Sequence, residues 1–213
     1  ERQEELPLVV YLHGASSGGD DGLRQTEGGL GDAIRRNPEW FPAVALFPQA
    51  PTGRGWEGEI ADLVLRQIDA TIAELDLDPD RVYLTGSSMG GEGVYYLAMR
   101  HPRRFAGLVV SCGSPFTPAW RLEELGRPPV DRSRAGFDAV AGALRGLPLR
   151  AFHGGEDDVV ETEEARAMQR ALRAAGVDAA LKEYPRLGHE ACGRAYLEED
   201  LWPWLFSQQR PRD

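Results

Sequence analysis

The chain has 213 residues, with 42% hydrophobic and 27% charged side chains, a composition typical of a globular protein that buries a full hydrophobic core. Its formal net charge of −10 argues against nucleic acid and anionic membrane surfaces as partners, because both are negatively charged. The apolar runs are only strand-sized, so no membrane insertion is predicted. No signal peptide is visible, and a start at Glu1 rather than Met indicates processing or trimming, which leaves localisation open, secreted or periplasmic included.

Short apolar runs alternate with longer amphipathic segments along the whole chain. The apolar runs predict strands that are covered on both faces, at residues 8–12, 43–47, 82–85, 107–111, 149–152 and 180–184. The amphipathic segments predict helices near residues 60–75, 91–100, 137–144, 163–175 and 195–206. This alternation is typical of an α/β fold with a doubly wound, mostly parallel sheet.

Two segments interrupt the alternation. Residues 16–39 are rich in glycine and polar residues and are interpreted as the loop between the first two strands. Residues 114–136 contain Pro115, Pro118, Pro128 and Pro129, and their apolar residues show no regular spacing. This pattern favours a loop at the rim of the pocket over a cap that covers the site. We therefore expect one catalytic domain over residues 1–213, with little or no lid.

The pentapeptide Gly86-Ser87-Ser88-Met89-Gly90 has the pattern Gly-x-Ser-x-Gly. It follows a predicted strand and precedes a predicted helix, which is the context in which this motif forms a sharp turn that exposes a nucleophilic serine. Ser88 is the candidate nucleophile. A serine hydroxyl is weak alone and needs a neighbouring base.

Of the four histidines, His189 is the best candidate for that base. It lies in the loop after the last predicted strand, whereas His13 and His153 end strands and His101 precedes a proline at a helix end. A catalytic acid is expected after a strand between Ser88 and His189, which gives the chain order serine, acid, histidine. Three adjacent acids compete there: Glu156, Asp157 and Asp158.

A tetrahedral intermediate also needs hydrogen-bond donors for its oxyanion. The first predicted strand ends in His13-Gly14-Ala15, a turn of the kind that supplies one backbone N–H. We assign that donor to Ala15 and the second donor to Met89, the residue after the nucleophile. The alternative interpretation of His13-Gly14 is a plain strand-ending turn.

With these motifs in place, the chain resembles the small α/β-hydrolases labelled "predicted peptidase" or phospholipase/carboxylesterase. That group is related to dienelactone hydrolase and to the polyhydroxybutyrate depolymerase-like and feruloyl esterases. The matching segments occur in the expected order and cover nearly the whole chain, at residues 6–14, 47–51, 78–91, 152–160 and 184–189. The resemblance implies an α/β-hydrolase fold, and because the chain begins near the third strand of the usual eight, a sheet of about six or more strands.

The resemblance also implies site residues. It places the acid at Asp157, in the pattern His-Gly-x-x-Asp-x-x-Val, with Asp158 as the alternative. It suggests Trp56 as an aromatic residue that lines the pocket, although a buried loop anchor is an equally weighted interpretation. Glu92 and Tyr95 are expected to contact substrate, or else to be ordinary helix residues.

The chain departs from the group at two places, one before and one after His189. Relatives often carry a tryptophan after the histidine, whereas this chain has Ala191-Cys192, and they often have proline where this chain has Glu161. The other cysteine, Cys112, follows the fourth predicted strand, so both thiols are expected near the proposed active-site face. Two free thiols are favoured over a disulfide.

Taken together, the residues and the resemblance predict a serine hydrolase of the carboxylesterase type. It would cleave short-acyl or aryl esters through an acyl-enzyme, with a small-molecule ester as its partner and without a metal or cofactor. The alternatives are a serine peptidase of the prolyl oligopeptidase type and, from a different class, a non-catalytic binding module. Oligomeric state and natural substrate stay open.

Overall fold

The computed structural model describes residues 5–117, 122–123 and 131–210. Its centre is a six-stranded sheet in which every neighbouring pair of strands is parallel. The strands are β1 (Leu8–Leu12), β2 (Val44–Leu46), β3 (Val82–Ser87), β4 (Gly107–Ser111), β5 (Leu149–Gly154) and β6 (Ala179–Tyr184). Their order across the sheet is β2-β1-β3-β4-β5-β6, which confirms the predicted doubly wound α/β architecture.

Helices cover both faces of the sheet. They are α1 (Gly29–Arg36), α2 (Glu59–Leu75), α3 (Met89–Arg100), α4 (Arg134–Ala143), α5 (Thr162–Ala174) and α6 (Leu201–Phe206). Successive strand residues point to opposite faces, so β1 divides its side chains between two hydrophobic cores. Leu8, Val10 and Leu12 pack in one core, and Val9 and Tyr11 pack in the other.

The structure corrects two sequence-based boundaries. Helix α1 lies inside residues 16–39, which were expected to form a loop, because Leu30 and Ala33 supply a buried face despite the glycines around them. The helix predicted over residues 195–206 is divided into a 3₁₀ segment, His189–Leu197, and helix α6.

The carboxyl ends of the parallel strands meet at one edge of the sheet, and the candidate residues follow those ends. His13 follows β1, Ser88 follows β3, Asp157 follows β5 and His189 follows β6. Cys112 follows β4 at the same edge. The topology therefore brings residues that are far apart in the chain to one site.

The predicted rim segment, residues 114–136, lies partly outside the described residues, at 118–121 and 124–130. The expectation of little or no lid falls on that part of the chain. Within the described ranges, no helix combines the length and the apolar character that a membrane span requires.

Candidate active site

Ser88 occupies a sharp turn between β3 and α3. Its backbone has φ 55° and ψ −120°, a conformation that non-glycine residues rarely adopt. The Ser88 N–H donates to the carbonyl of Ser111 on β4 at 2.8 Å, which fixes the turn to the neighbouring strand. Gly90 passes so close to the Leu12 carbonyl that a Cβ there would overlap it, so the motif glycine is needed for close packing.

The hydroxyl of Ser88 lies within hydrogen-bond distance of His189. Its Oγ is 2.8 Å from His189 Nε2, and His189 Nδ1 is 2.8 Å from Asp157 Oδ2. Because a carboxylate accepts but does not donate, Nδ1 carries the proton and Nε2 is left to accept the hydroxyl proton. The structure thus brings together the serine, base and acid predicted from the sequence, in a continuous hydrogen-bonded chain.

Asp157, rather than its acidic neighbours, faces His189. Its carboxylate is fully buried and also accepts the backbone N–H groups of Val159 and Val160, each at 3.0 Å. Asp158 is exposed. Burial opposes the charge on Asp157, but hydrogen bonds from His153, His189 and Val160 outweigh it and hold the pKa of this carboxyl well below its usual range.

His153 is a second histidine against the same carboxylate. Its Nε2 lies 2.9 Å from the Val160 carbonyl and 3.3 Å from Asp157 Oδ2, and the ring is buried. Burial alone would lower the pKa of His153, but the hydrogen bonds to Asp157 and Val160 raise it. His153 therefore supports the orientation of Asp157, a contact that the sequence analysis did not anticipate.

The two predicted oxyanion donors start helical segments. Ala15 is the first residue of a 3₁₀ turn and Met89 is the first residue of α3, and a first helical N–H has no acceptor within its own helix. The turn at Gly14 lies against Ser88, since a Cβ placed there would be 3.5 Å from the Ser88 Cβ. The N–H groups of Ala15 and Met89 therefore lie at the first residues of two segments that border Ser88.

His13 fixes the turn that carries Ala15. Its Nδ1 lies 2.7 Å from the Gly14 carbonyl, and its Nε2 accepts the Ala50 N–H at 3.0 Å, so the ring is a neutral tautomer with its proton on Nδ1. Burial lowers the pKa of His13, which favours that neutral ring. His13 thus has a structural role, because its ring holds this turn in place.

The structure buries both Trp56 and Tyr95, which weighs against their predicted contact with substrate. Trp56 is 2% exposed and its Nε1–H donates to the His13 carbonyl at 3.0 Å, so it is the buried loop anchor weighed as its alternative. Tyr95 is also 2% exposed, and burial raises the pKa of its hydroxyl. Both aromatic side chains enter the core around α3 because their apolar area is large.

Glu92 lies one turn along α3 from Ser88 and is half-buried. Its N–H donates to the Ser88 carbonyl at 3.2 Å, and its carboxylate accepts the hydroxyl of Thr117. Glu92 therefore connects α3 to the start of the predicted rim segment.

A cluster of buried hydroxyls next to Ser88 is not evident from the sequence. Ser87 Oγ lies 3.3 Å from the hydroxyls of both Tyr11 and Tyr196, and Thr85 Oγ1 is 3.0 Å from Tyr196. Burial raises the pKa of Tyr196 well above its ordinary value, so this phenol stays neutral. The cluster ties β1 and β3 to the 3₁₀ segment that begins at His189, and only the adjacency of the second motif serine hinted at it.

The two cysteines are free thiols that lie beside His189. Cys112 is buried at the end of β4, and Cys192 lies half-buried in the 3₁₀ segment. A hydrogen bond between the two thiol groups lowers the pKa of Cys112. The same hydrogen bond, together with burial, raises the pKa of Cys192. Their position at the active-site face matches the sequence-based expectation.

The parallel sheet, the strained serine turn and the serine–histidine–aspartate arrangement define an α/β-hydrolase. The profile of the prolyl oligopeptidase family matches residues 53–209, and the chain belongs to this family.

Three similar proteins have informative names. The acyl-protein thioesterase 1 of Gibberella zeae is 27% identical over 67% of this chain and 55% of its own length. A probable carboxylesterase of Oryza sativa subsp. japonica is 24% identical over 85% of this chain and 80% of its own length. The crystal structure of a thermostable esterase superposes with a TM-score of 0.79 at 25% identity, over 99% of this chain and 56% of that one.

The chain spans only part of several proteins that it matches. It covers 26% of one curated relative and 55% of the thioesterase.

Proposed function

We propose that this chain is a serine carboxylic-ester hydrolase that acts on short-acyl or aryl esters through an acyl-enzyme. The observation that carries the proposal is the hydrogen-bonded order Ser88, His189, Asp157 at the carboxyl edge of the sheet. Its catalytic domain is proposed to extend over residues 1–213.

In the first step, Ser88 Oγ attacks the acyl carbon of the ester. His189 Nε2 takes the hydroxyl proton as the new C–O bond forms, and Asp157 stabilises the imidazolium through Nδ1. The imidazolium then gives that proton to the alcohol oxygen as the ester C–O bond breaks. The alcohol leaves, and the acyl group stays on Ser88.

The charge that develops on the carbonyl oxygen needs donors in place before the reaction. The N–H groups of Ala15 and Met89 are proposed for that role, and the positive end of the α3 dipole supports the same charge. Such donors are each worth about 3–4 kcal/mol of transition-state stabilisation in other enzymes.

Deacylation repeats the path with water. His189 Nε2 removes a proton from water as its oxygen attacks the acyl carbon, and the carboxylic acid leaves as Ser88 recovers its proton. Both steps need Nε2 unprotonated at the start, so the tautomer that Asp157 selects is part of the mechanism. Among the residues predicted to bind substrate, we retain Glu92 at the rim of this site.

Ester hydrolysis is favoured over peptide hydrolysis by the names of similar proteins, which include a thioesterase, a probable carboxylesterase and an esterase. Esters also need less leaving-group assistance than amides, because an alkoxide leaves more readily than an amide anion. Membership of the prolyl oligopeptidase family favours serine peptidase activity as the second candidate. The complete hydrogen-bonded arrangement weighs against a non-catalytic binding module, since binding alone needs no aligned base.

A panel of substrates tests the proposal. The purified chain and its Ser88→Ala variant would be assayed on p-nitrophenyl esters from acetate to laurate and on aminoacyl anilides. We expect ester hydrolysis that is greatest for short acyl groups and absent in the variant. Activity on the anilides alone would replace the proposal with the peptidase, and no difference from the variant on either series would favour the binding module.

A further inference from the structure

Three soft ligand groups converge beside the nucleophile. The sulfur atoms of Cys112 and Cys192 and a ring nitrogen of His189 all lie within 4.8 Å of one another, and Cys192 Sγ is 3.8 Å from His189 Nε2. Thiolate sulfur and imidazole nitrogen are the ligands that Zn²⁺ and similar thiophilic cations prefer. The residues come from two separate parts of the chain, after β4 and after β6.

The spacing fits one metal ion. Tetrahedral Zn²⁺ with bonds of about 2.3 Å to sulfur and about 2.0 Å to nitrogen separates its ligand atoms by about 3.5–3.8 Å. The three groups therefore need to move by about 1 Å or less to share an ion. Three protein ligands leave the fourth position open to a water molecule.

The ligands are held in place by contacts outside the cluster. His189 Nδ1 bonds to Asp157 at 2.8 Å, the carboxylate–histidine arrangement that orients metal-binding imidazoles through their other nitrogen. The Cys112 N–H donates to the Phe152 carbonyl at 2.8 Å, and Ser111 Oγ donates to the Cys192 carbonyl at 2.8 Å. The three ligands are thus positioned by the sheet and by the carboxylate.

We propose that Cys112, Cys192 and His189 form an inhibitory site for a thiophilic divalent cation, with Zn²⁺ as its representative. The cation binds His189 Nε2, the atom that takes the proton of Ser88, so a metal-bound enzyme has no base. Binding releases the thiol protons to solvent, and chelation restores the base. The inhibition rests on the proposed hydrolase function, whereas the metal site itself does not.

Cobalt spectroscopy tests the site without reference to activity. Co²⁺ would be added to chelator-treated protein in a thiol-free reductant, which prevents a Cys112–Cys192 disulfide. We expect a thiolate-to-cobalt charge-transfer band that saturates at one equivalent and is displaced by Zn²⁺. The inactive Ser88→Ala variant is expected to keep the band, while Cys112→Ser and Cys192→Ser are expected to lose it.

Inhibition is measured in parallel. We expect Zn²⁺ to inhibit ester hydrolysis and Cys192→Ser to raise the inhibition constant at least about tenfold, because one ligand is gone. His101→Ala, which changes an exposed histidine, is the matched control and leaves both readouts unchanged. Absence of the band, or a band that persists in both cysteine variants, would overturn the site. A band without Zn²⁺ inhibition in an active esterase would overturn the inhibitory role, and an inactive chain that shows the band would refute only the hydrolase.

Discussion

Ser88 is held in a backbone conformation that costs energy, with φ 55° and ψ −120°. Residues in such conformations cost about 1–3 kcal/mol and persist only where the surrounding structure fixes them. Here the fixing contacts are the Ser88 N–H bond to Ser111 and the close approach of Gly90 to the Leu12 carbonyl. The Ser88 hydroxyl in this turn lies 2.8 Å from His189 Nε2.

Asp157 is the proposed acid of the site. Asp157→Asn keeps the side-chain shape but removes the charge that stabilises the His189 imidazolium and the acceptor that selects its tautomer. We expect kcat for ester hydrolysis to fall about 10⁴-fold with a smaller change in KM. Steady-state kinetics on p-nitrophenyl acetate measures both constants.

Asp158→Asn is the matched control for that prediction, because Asp158 is the adjacent acid and is exposed. We expect it to retain wild-type kcat. An equal loss in Asp158→Asn, or full activity in Asp157→Asn, would contradict the assignment.

Single residues differ in how far their sequence context reveals their roles. The placement of Ser88 and His189 at one edge of the sheet could be predicted because each follows a recognisable strand in a fixed chain order, and the family resemblance favoured Asp157 over Asp158 as their partner. Trp56 could not be placed, since a tryptophan in a loop packs into a core or lines a pocket with equal ease. Its burial depends on the distant His13 carbonyl and on α3, which no local pattern encodes.

At the scale of elements, the turn between β3 and α3 is a tightly packed junction near the site. Gly90→Ala places a Cβ against the Leu12 carbonyl, which belongs to a backbone that cannot move aside freely. We expect the free energy of unfolding to fall by about 2 kcal/mol or more, and esterase activity to fall with it because the turn carries Ser88. Urea unfolding and kinetic assays measure the two effects.

Gly142→Ala is the matched control, since Gly142 is exposed in α4 and nothing lies within 4 Å of its added Cβ. We expect this variant to gain about 0.5 kcal/mol, because alanine favours the helix and restricts the unfolded chain. Loss of stability in both variants alike would refute the packing argument.

Most elements were predictable because their apolar patterns are continuous. All six strands could be located from their apolar runs: β1 and β4 have the predicted ends, and the ends of the other four differ from the predicted ones by at most two residues. Helix α1 was hidden because Gly29 and Gly31 suppress the helical signal, while the buried side chain of Leu30 decides the structure. The division of the last predicted helix depends on tertiary contacts of Tyr196, including its hydroxyl bond to Thr85, which local periodicity does not record.

At the scale of the whole molecule, the C-terminal segment closes one face of the sheet. Leu201, Trp202 and Leu205 of α6 pack in the core that contains Tyr83 of β3. The Tyr83 hydroxyl donates to the Gln208 carbonyl at 2.9 Å, beyond the end of α6. Helix α6 and the residues just after it are therefore held against β3 near the centre of the sheet.

The burial of the Tyr83 hydroxyl predicts a pH dependence of the stability of the fold. Burial raises the pKa of Tyr83 to about 12, above the ordinary value of about 10, so the fold favours the neutral phenol. The free energy of unfolding that the neutral Tyr83 phenol contributes is complete below pH 10 and is lost as the pH rises toward 12. We expect wild type to lose about 1 kcal/mol more than Tyr83→Phe between pH 9 and pH 11, measured by urea unfolding. Parallel losses in the two proteins would contradict this account.

Two cores share the one sheet, and this arrangement predicts cooperative unfolding of the proposed single domain. Disruption of either core exposes strand residues that the other core needs in place, as the alternating side chains of β1 illustrate. We expect the transitions followed by far-ultraviolet circular dichroism and by tryptophan fluorescence to coincide in urea. Two separated transitions would show that the cores are independent.

The most direct test of the central claim is covalent labelling of the nucleophile. A fluorophosphonate probe reacts with an activated serine, and intact-mass analysis counts the adducts on wild type, Ser88→Ala and Ser87→Ala. Ser87 is the adjacent motif serine, bonded to buried tyrosines, and serves as the matched control. We expect one adduct on wild type and on Ser87→Ala, and none on Ser88→Ala. An unlabelled wild type, or an adduct that survives in Ser88→Ala, would contradict the assignment of Ser88 as the nucleophile of a serine hydrolase.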